Sequence, residues 1–392
     1  MRETKTEKKS FFKKDIFRIA LVLIGVRVLM LILGFIFFKM RMPEGSLGTF
    51  ENWLAQAGDI PHFLHIAEYG YSVGDEFENL VVFYPLFPLL IRLFSFVFRD
   101  YYLSGFIISN ICAVVAGCYL YKLATLDHEK QVARNSVLFM MLYPFCFFMG
   151  FAYTESLFLM LSIMCVYYAR RGNWILCGLL GGLSAICRTQ GIIIFGVAAY
   201  EYVVQAADRV HEGDFTAAEK IKGFFKNLKP TGLALLLIPA GYGGYLALNK
   251  YLFGDWFKFM EFQAAAPWYN GMDWFTNNLQ QHMNMAMQYP GMAFIIYLPQ
   301  VVLFLVAMLL VFAGIKNKVR TSYLLHIAAY TIISFSSSWL ISGPRYMLGC
   351  FFMFPVLATL ARNRYMKIFI TVISSGLLFM MFYLYIMQHP IM

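Results

Sequence analysis

Residues 81–98 read V-V-F-Y-P-L-F-P-L-L-I-R-L-F-S-F-V-F. Whether this run crosses a membrane decides the topology of everything that follows it. Pro85 and Pro88 near its start and Arg92 near its middle argue for a kinked segment lying at the membrane interface. The composition already sets the class. Sixty per cent of the 392 residues are hydrophobic and 14% are charged, whereas a soluble domain carries about 25% charged residues. Apolar runs recur from residue 16 to residue 387 with no long polar interval, so the chain reads as one integral membrane domain over 1–392.

Loop charges argue the same way as the prolines. A first helix is expected at 16–38, long enough for a hydrocarbon core that needs ~20 residues. If 81–98 does not span, the later helices fall at 103–121, 136–151, 156–169, 174–187, 191–207, 232–248, 292–314, 321–340, 346–360 and 367–386. With the N-terminus inside, segments 1–15, 122–135, 170–173, 208–231, 315–320 and 361–367 are cytoplasmic. They hold 22 of the 32 Lys and Arg, and the outer segments hold 8. Cytoplasmic loops are enriched in Lys and Arg, and letting 81–98 span largely reverses the asymmetry. The expectation is therefore an all-α polytopic bundle of about eleven transmembrane helices. Residues 1–15 form a basic cytoplasmic tail, 39–102 a first external loop with interfacial helices, and 249–290 a second large external loop.

The net charge of +10 is accounted for by those loops. No basic helix or aromatic RNA-binding signature accompanies it, so no nucleic-acid partner is expected. The partner is the lipid bilayer. The seven cysteines, Cys112, Cys118, Cys146, Cys165, Cys177, Cys187 and Cys350, lie in apolar runs without metal-ligand spacing and read as small buried hydrophobes. The basic N-terminus precedes an apolar run longer than the ~7–15 residues of a signal-peptide core, and is read as the start of a retained helix. Arg27 within that helix is either a snorkelling or bundle-facing arginine or a ligand for lipid phosphate.

Polar groups without a loop-charge explanation converge on the outer face. Residues 57–88 pack five acidic groups, two histidines and three prolines directly after the first span, which marks a functional site. Asp59 is followed by His62, His65 and Glu68, with the two histidines one turn apart on a helix after Pro61. A metal reading of Asp and His is open, although no H-x-x-x-H spacing supports it; a solvated amphipathic helix is the plain alternative. Glu155 is either a helix N-terminal charge favoured by the macrodipole, a ligand for an acceptor hydroxyl, or a partner of Arg188 or Arg345. An arginine near the end of a membrane helix needs an anionic partner, and its planar fork suits phosphate. Arg188 and Arg345 on one face thus suggest a phosphate-bearing ligand held in the membrane. The aromatic stretch 253–275, which contains Gln263 and Trp268, reads as an interfacial belt or as a sugar-stacking surface.

These residues resemble a family. G-D-I-P-H-F-L-H-I-A-E-Y-G-Y (58–71) is similar to the W-D-x-x-H-Y-L-x-I-A-x-x-G-Y pattern of the glycosylphosphatidylinositol mannosyltransferase II family, which adds the second mannose to the anchor. F-Y-P-L-F-P (83–88) resembles its F-F-P-L-Y-P. P-F-C-F-F-M-G-F-A-Y-T-E-S-L-F (144–158), W-I-L-C-G-L-L-G-G-L-S-A-I-C-R-T-Q-G (174–191) and S-G-P-R-Y-M-L-G-C-F-F-M-F-P (342–355) resemble its later signatures, in order. One departure stands out: Gly58 occupies the place of the family's tryptophan.

The resemblance implies a GT-C bundle and an inverting glycosyltransferase that moves a hexose, mannose in this family. The donor would be a polyprenyl-phosphate sugar and the acceptor a hydroxyl of a glycolipid or cell-surface glycan, on the non-cytoplasmic face. No cofactor or metal is expected. Asp59 would be the general base. His62, His65, Glu68, Tyr84, Glu155, Arg188, Gln190, Gln263, Trp268, Arg345 and Tyr346 are the substrate-binding candidates. The membrane would be the plasma membrane in a prokaryote and the endoplasmic reticulum in a eukaryote. The alternative is a non-enzymatic carrier or flippase for lipid-linked sugars, which would share the aromatics and arginines but has no need of a lone carboxylate at the mouth.

Overall fold

The computed structural model describes residues 5–208, 223, 225–338 and 341–389. Most of the expected cytoplasmic loop 208–231 lies outside the described residues, as do residues 1–4 of the tail and 339–340 at the end of the expected helix 321–340. Among the described residues the secondary structure is helical, with one isolated antiparallel bridge between Met272 and Ser337. The helices are α1 (Lys5–Arg41), α2 (Leu47–Ala55), α3 (Ile60–Tyr69), α4 (Leu86–Phe98), α5 (Tyr101–Ala124), α6 (Lys130–Met141), α7 (Glu155–Arg170), α8 (Trp174–Ala185) and α9 (Ile193–Asp208). They continue as α10 (Leu237–Phe253), α11 (Lys258–Ala264), α12 (Phe275–Gln288), α13 (Leu298–Lys316), α14 (Thr321–Phe335), α15 (Gly343–Tyr346), α16 (Met353–Leu360) and α17 (Arg364–Ile386).

Among the described residues six helices are long and apolar enough to cross a membrane, or seven if one bent pair is counted as a single span. Each of the eleven expected segments contains helix, but several are interrupted. The expected helix 136–151 stops at Met141 and resumes as a 3-10 turn, Cys146–Gly150. The expected helix 346–360 is two pieces, Gly343–Gly349 and Met353–Leu360, bent by 85°. Pro344 and the glycines at 343 and 349 explain why that run does not continue straight. The expected loop 249–290 is largely helical, through α11 and α12.

The first helix shows how the bundle packs. Leu23, Arg27, Met30, Gly34 and Phe37 are buried, whereas Val22, Leu29, Ile32 and Ile36 are exposed. The buried set recurs every three or four residues, so one stripe faces protein and the opposite side faces lipid. Helix α7 is buried nearly all round and forms the centre, packed on α5 and α8. Close approach needs small residues where lipid tails give no hydrophobic drive. A Cβ on Gly178 would lie 1.9 Å from the Ala234 carbonyl oxygen, and one on Gly241 would lie 2.2 Å from that of Gly182. Helix α8 therefore rests directly on the backbone leading into and through α10.

The run whose reading decides the topology forms α4, 13 residues long. At 1.5 Å per residue that is about 20 Å, too short for a hydrocarbon core of about 30 Å. Leu89, Leu93, Phe96 and Val97 are exposed on one side while Phe87 and Ile91 are buried on the other.

The two ends of α7 carry different chemistry. At its C-terminal end Arg170 donates to both oxygens of Asp127, at 2.6 and 2.8 Å. Arg320 donates to both oxygens of Glu201 at 2.6 and 2.7 Å, and Ser322 Oγ donates to the same carboxylate at 2.5 Å. Tyr323 Oη donates to Asp127 at 2.7 Å. This clasp joins the turn after α5, the C-terminal end of α7, the middle of α9 and the start of α14. Burial raises the Asp127 carboxyl, but the Arg170 guanidinium outweighs it and holds it below the usual range. A depressed carboxylate stabilises the fold above its unfolded value, and that contribution is lost as pH falls through the folded one. Glu201 is fully buried, and Arg320→Ala leaves it only the Ser322 hydroxyl and the more distant Arg170 guanidinium at 3.6 Å, so the change should cost about 3 kcal/mol, read as a lower Tm in detergent. A loss below about 0.5 kcal/mol, the usual size for an exposed pair, would show that the clasp is screened by solvent.

Candidate active site

Asp59 is delivered by a turn that only glycine fits. Helix α2 is started by a Ser46–Thr49 capping box and its cap lies at Gln56. Gly58 then takes φ +54°, and a Cβ there would lie 2.7 Å from Tyr153 Oη. Both the left-handed backbone and the tyrosine exclude larger residues, which accounts for glycine where the family motif has tryptophan. Tyr153 Oη donates to the Ala57 carbonyl at 3.0 Å and shares a hydrogen bond with Tyr385 Oη at 3.0 Å. Asp59 follows as the N-cap of α3, with Pro61 in the first turn, yet its side chain makes no capping bond. The carboxylate turns to the bundle instead.

There it joins a chain of alternating charges. Arg345 Nη1 donates to Asp59 Oδ2 at 2.5 Å, and Arg345 Nε donates to Glu155 Oε1 at 2.5 Å. Arg188 Nη1 donates to the same Glu155 oxygen at 2.8 Å and to Thr154 Oγ1 at 3.2 Å. Glu155 opens α7, where the helix dipole favours an anion. Arg345 comes from the short helix α15, just before the bend. Its guanidinium lies over the rings of Tyr153 and Phe148, at 4.5 and 4.8 Å, and Arg188 lies 5.0 Å from the Tyr346 ring. The aromatic faces help hold cations that are out of water. Side-chain exposure is 24% for Asp59 against 2% for Glu155, 5% for Arg345 and 11% for Arg188. Asp59 is thus the carboxylate that a substrate can reach. Glu155 Oε2 is buried with no hydrogen-bond partner.

The other predicted residues divide. His62 stacks on Phe83 at 5.1 Å and meets the edge of Trp268 at 5.4 Å, forming an aromatic wall on the helix that Asp59 caps. Burial pushes the His62 imidazole below its usual range, against the pull of Asp59, so it is neutral at pH 7. Trp268 Nε1 is a buried donor without an acceptor. Tyr84 stacks on Tyr245 at 3.8 Å and accepts from Thr189 Oγ1 at 3.0 Å, which ties the prolyl run to the turn carrying Arg188 and Gln190. Gln190 is half-buried on that turn. Gln263 is half-buried in α11, and its carbonyl accepts from the Asn270 N–H at 2.7 Å.

His65 and Glu68 are not brought to the charge chain. His65 stacks on Phe77 at 4.0 Å, and Glu68 is exposed near the far end of α3. Although one turn apart, the two histidine rings serve different partners. Among the described residues no group of three or more His, Cys, Asp or Glu is placed to hold a metal. Arg27 is bundle-facing: its guanidinium donates to the Cys146 carbonyl at 3.3 and 3.4 Å. Sequence reasoning missed Tyr153, Thr154 and Tyr385. The first two immediately precede Glu155, and that adjacency was the available signal.

With this geometry in view, comparison with known proteins is informative. The family model described as Mannosyltransferase (PIG-V) matches residues 35–254. Similar relatives are GPI alpha-1,6-mannosyltransferase 2 of Rattus norvegicus, 26% identical over 228 residues, and of Mus musculus, 29% identical over 169 residues. These matches cover 54% and 40% of this chain, and 43% and 32% of the relatives, so less than half of each relative's length is spanned. Among solved structures, the crystal structure of ArnT from Cupriavidus metallidurans bound to undecaprenyl phosphate is similar at 11% identity. Its TM-score is 0.50, covering 92% of this chain and 76% of that one. That likeness is one of fold, the GT-C arrangement expected from the sequence.

The turn before Asp59 can be tested by a double-mutant cycle. Gly58→Ala should lower stability by about 1–3 kcal/mol, the cost of a strained backbone position, with further loss from the contact with Tyr153 Oη. Tyr153→Phe removes that oxygen, so the double variant should be more stable than the sum of the single changes predicts by at least about 0.5 kcal/mol. Additive Tm changes would show that the hydroxyl does not hold the turn.

Proposed function

The chain belongs to the mannosyltransferase (PIG-V) family, and from that premise we propose that it transfers mannose from a polyprenyl-phosphate donor to a hydroxyl of a glycolipid or cell-surface glycan. The observation that carries this reading is the charge chain Asp59–Arg345–Glu155–Arg188, in which the most open member is a carboxylate and its neighbour a guanidinium. An acceptor hydroxyl needs a base, and a departing phosphate needs a cation. Asp59 accepts the proton of the acceptor hydroxyl as its oxygen forms a bond to the sugar C1. The bond from C1 to the phosphate oxygen breaks on the opposite face, and its electron pair leaves with the polyprenyl phosphate. Attack from the face opposite the leaving group inverts the anomeric carbon. The leaving charge is met by Arg345 and Arg188.

Other features support the reading. The wall of His62, Phe83 and Trp268 beside Asp59 offers apolar faces and an unused indole N–H to a sugar. Neutral His62 does not neutralise the base. The similar relatives bear the name of GPI mannosyltransferases, and the ArnT structure of the same fold holds undecaprenyl phosphate. A donor carried by lipid phosphate suits a bundle whose arginines sit in its own protein core. The excess of Lys and Arg on the opposite loops supports an active site on the non-cytoplasmic face.

Asp59→Asn keeps the shape and removes the basicity, so mannosyl transfer should fall by roughly 10²-fold or more while the protein still purifies as a folded monodisperse species. Turnover within about threefold of the parent would remove Asp59 from the chemistry. Orientation is checked by labelling intact cells with a membrane-impermeant thiol reagent. A cysteine at exposed Glu76 should react, and one at exposed Lys226 only after lysis. The reverse pattern would place the site on the cytoplasmic face.

A further inference from the structure

The charge chain is electrically complete before any substrate arrives. Asp59 and Glu155 contribute two negative charges and Arg188 and Arg345 two positive ones, and each arginine is already paired. A donor phosphate brings another negative charge into a cluster that is mostly out of water, where an uncompensated charge is costly. Its arrival therefore favours the departure of a carboxylate from a guanidinium. The two carboxylates are unequal. Glu155 is 2% exposed and receives both arginines on one oxygen, at 2.5 and 2.8 Å. Asp59 is 24% exposed, meets a single nitrogen through a single oxygen, and stands at the start of α3 without a capping bond to hold it. Asp59 is the one that can leave.

We infer that the edge of Arg345 now held by Asp59 is the seat of the donor's phosphate, and that the phosphate displaces Asp59 from it. This rests on the transferase reading above. Arg345 keeps its Nε bond to Glu155 throughout, so it stays anchored while its Nη1 exchanges one oxyanion for another. The exchange also sets an order. While clamped to the guanidinium, Asp59 commits an oxygen to Arg345; once released, that oxygen is free to take the acceptor's proton. With the leaving group in place, both Asp59 oxygens are open to the acceptor hydroxyl.

Binding of undecaprenyl phosphate and of undecaprenol to detergent-purified parent, Asp59→Asn and Asp59→Ser proteins tests this. Both variants lack the competing carboxylate, so each should bind undecaprenyl phosphate at least about tenfold more tightly than the parent, given the strength of hydrogen bonds to charged groups. Undecaprenol, which has the same tail and no phosphate, should bind all three alike. Phosphate affinity within twofold of the parent, or weaker, in the folded variants would overturn the inference and leave the Asp59–Arg345 pair intact in the complex. An equal gain for undecaprenol would also overturn it, because the change would then lie in the tail groove. A measurement on the unaltered protein stands beside these. Saturating undecaprenyl phosphate should raise carbodiimide-driven amine labelling of Asp59 several-fold, and unchanged labelling would sink the exchange. Failure of the unaltered protein to transfer mannose, with the tenfold gain intact in the variants, would count against the transferase reading and leave the phosphate seat standing.

Discussion

Arg345 is the constraint on which the rest of the site depends. It joins Asp59, 286 residues earlier, to Glu155, 190 residues earlier, and so ties the start of α3 to the start of the central helix α7. Removing either carboxylate leaves part of a buried guanidinium unmatched, which low-dielectric surroundings make expensive. The bundle supplies what that cation needs. Aromatic rings of the segment 146–153 lie against its faces, and the bend after Gly349 turns the chain so that α15 stops at the level of Glu155. Broken helices are tolerated in a membrane only where protein buries the freed backbone groups. Here the breaks at 142–146 and 350–352 occur within the most buried part of the core.

Much of this was legible in the sequence, for identifiable reasons. Hydropathy located the helical segments, and the prolines with Arg92 identified α4 as a segment apart. Loop charges placed Asp59, Glu155, Arg188 and Arg345 on one face before any contact was known, and the structure brings those four together. What the sequence did not carry was pairing. Glu155 was open to three roles, and nothing local distinguishes a carboxylate shared by two arginines from a free one. Tyr153 was hidden for a different reason. In a chain with 25 tyrosines and 40 phenylalanines, one ring draws no notice, and its hydroxyl matters only because Gly58 comes up beneath it. His65 and Glu68 lie apart from the charge chain, because α3 carries both along its axis away from it. Interruption of the expected helices 136–151 and 346–360 escaped because hydropathy reports depth and is blind to direction.

The two ends of α7 express different designs. Where Arg170 and Arg320 each grip a carboxylate with two nitrogens, the geometry is bidentate and rigid. At the Asp59 end each guanidinium–carboxylate contact is made through a single nitrogen, and the outermost carboxylate is partly open. A bundle fastened firmly at one end and singly at the other has its adaptable part where substrate is proposed to enter.

Arg27 has a meaning for biogenesis. Its acceptor, the Cys146 carbonyl, is made 119 residues later. At synthesis rates of about 5–20 residues per second, the first helix must therefore wait on the order of 10 s with its guanidinium lacking that partner. An arginine near the middle of an isolated membrane helix is costly to leave in lipid. The folded acceptor exists only once α5 and the turn after α6 have emerged. The two halves of this buried polar contact are born far apart in time.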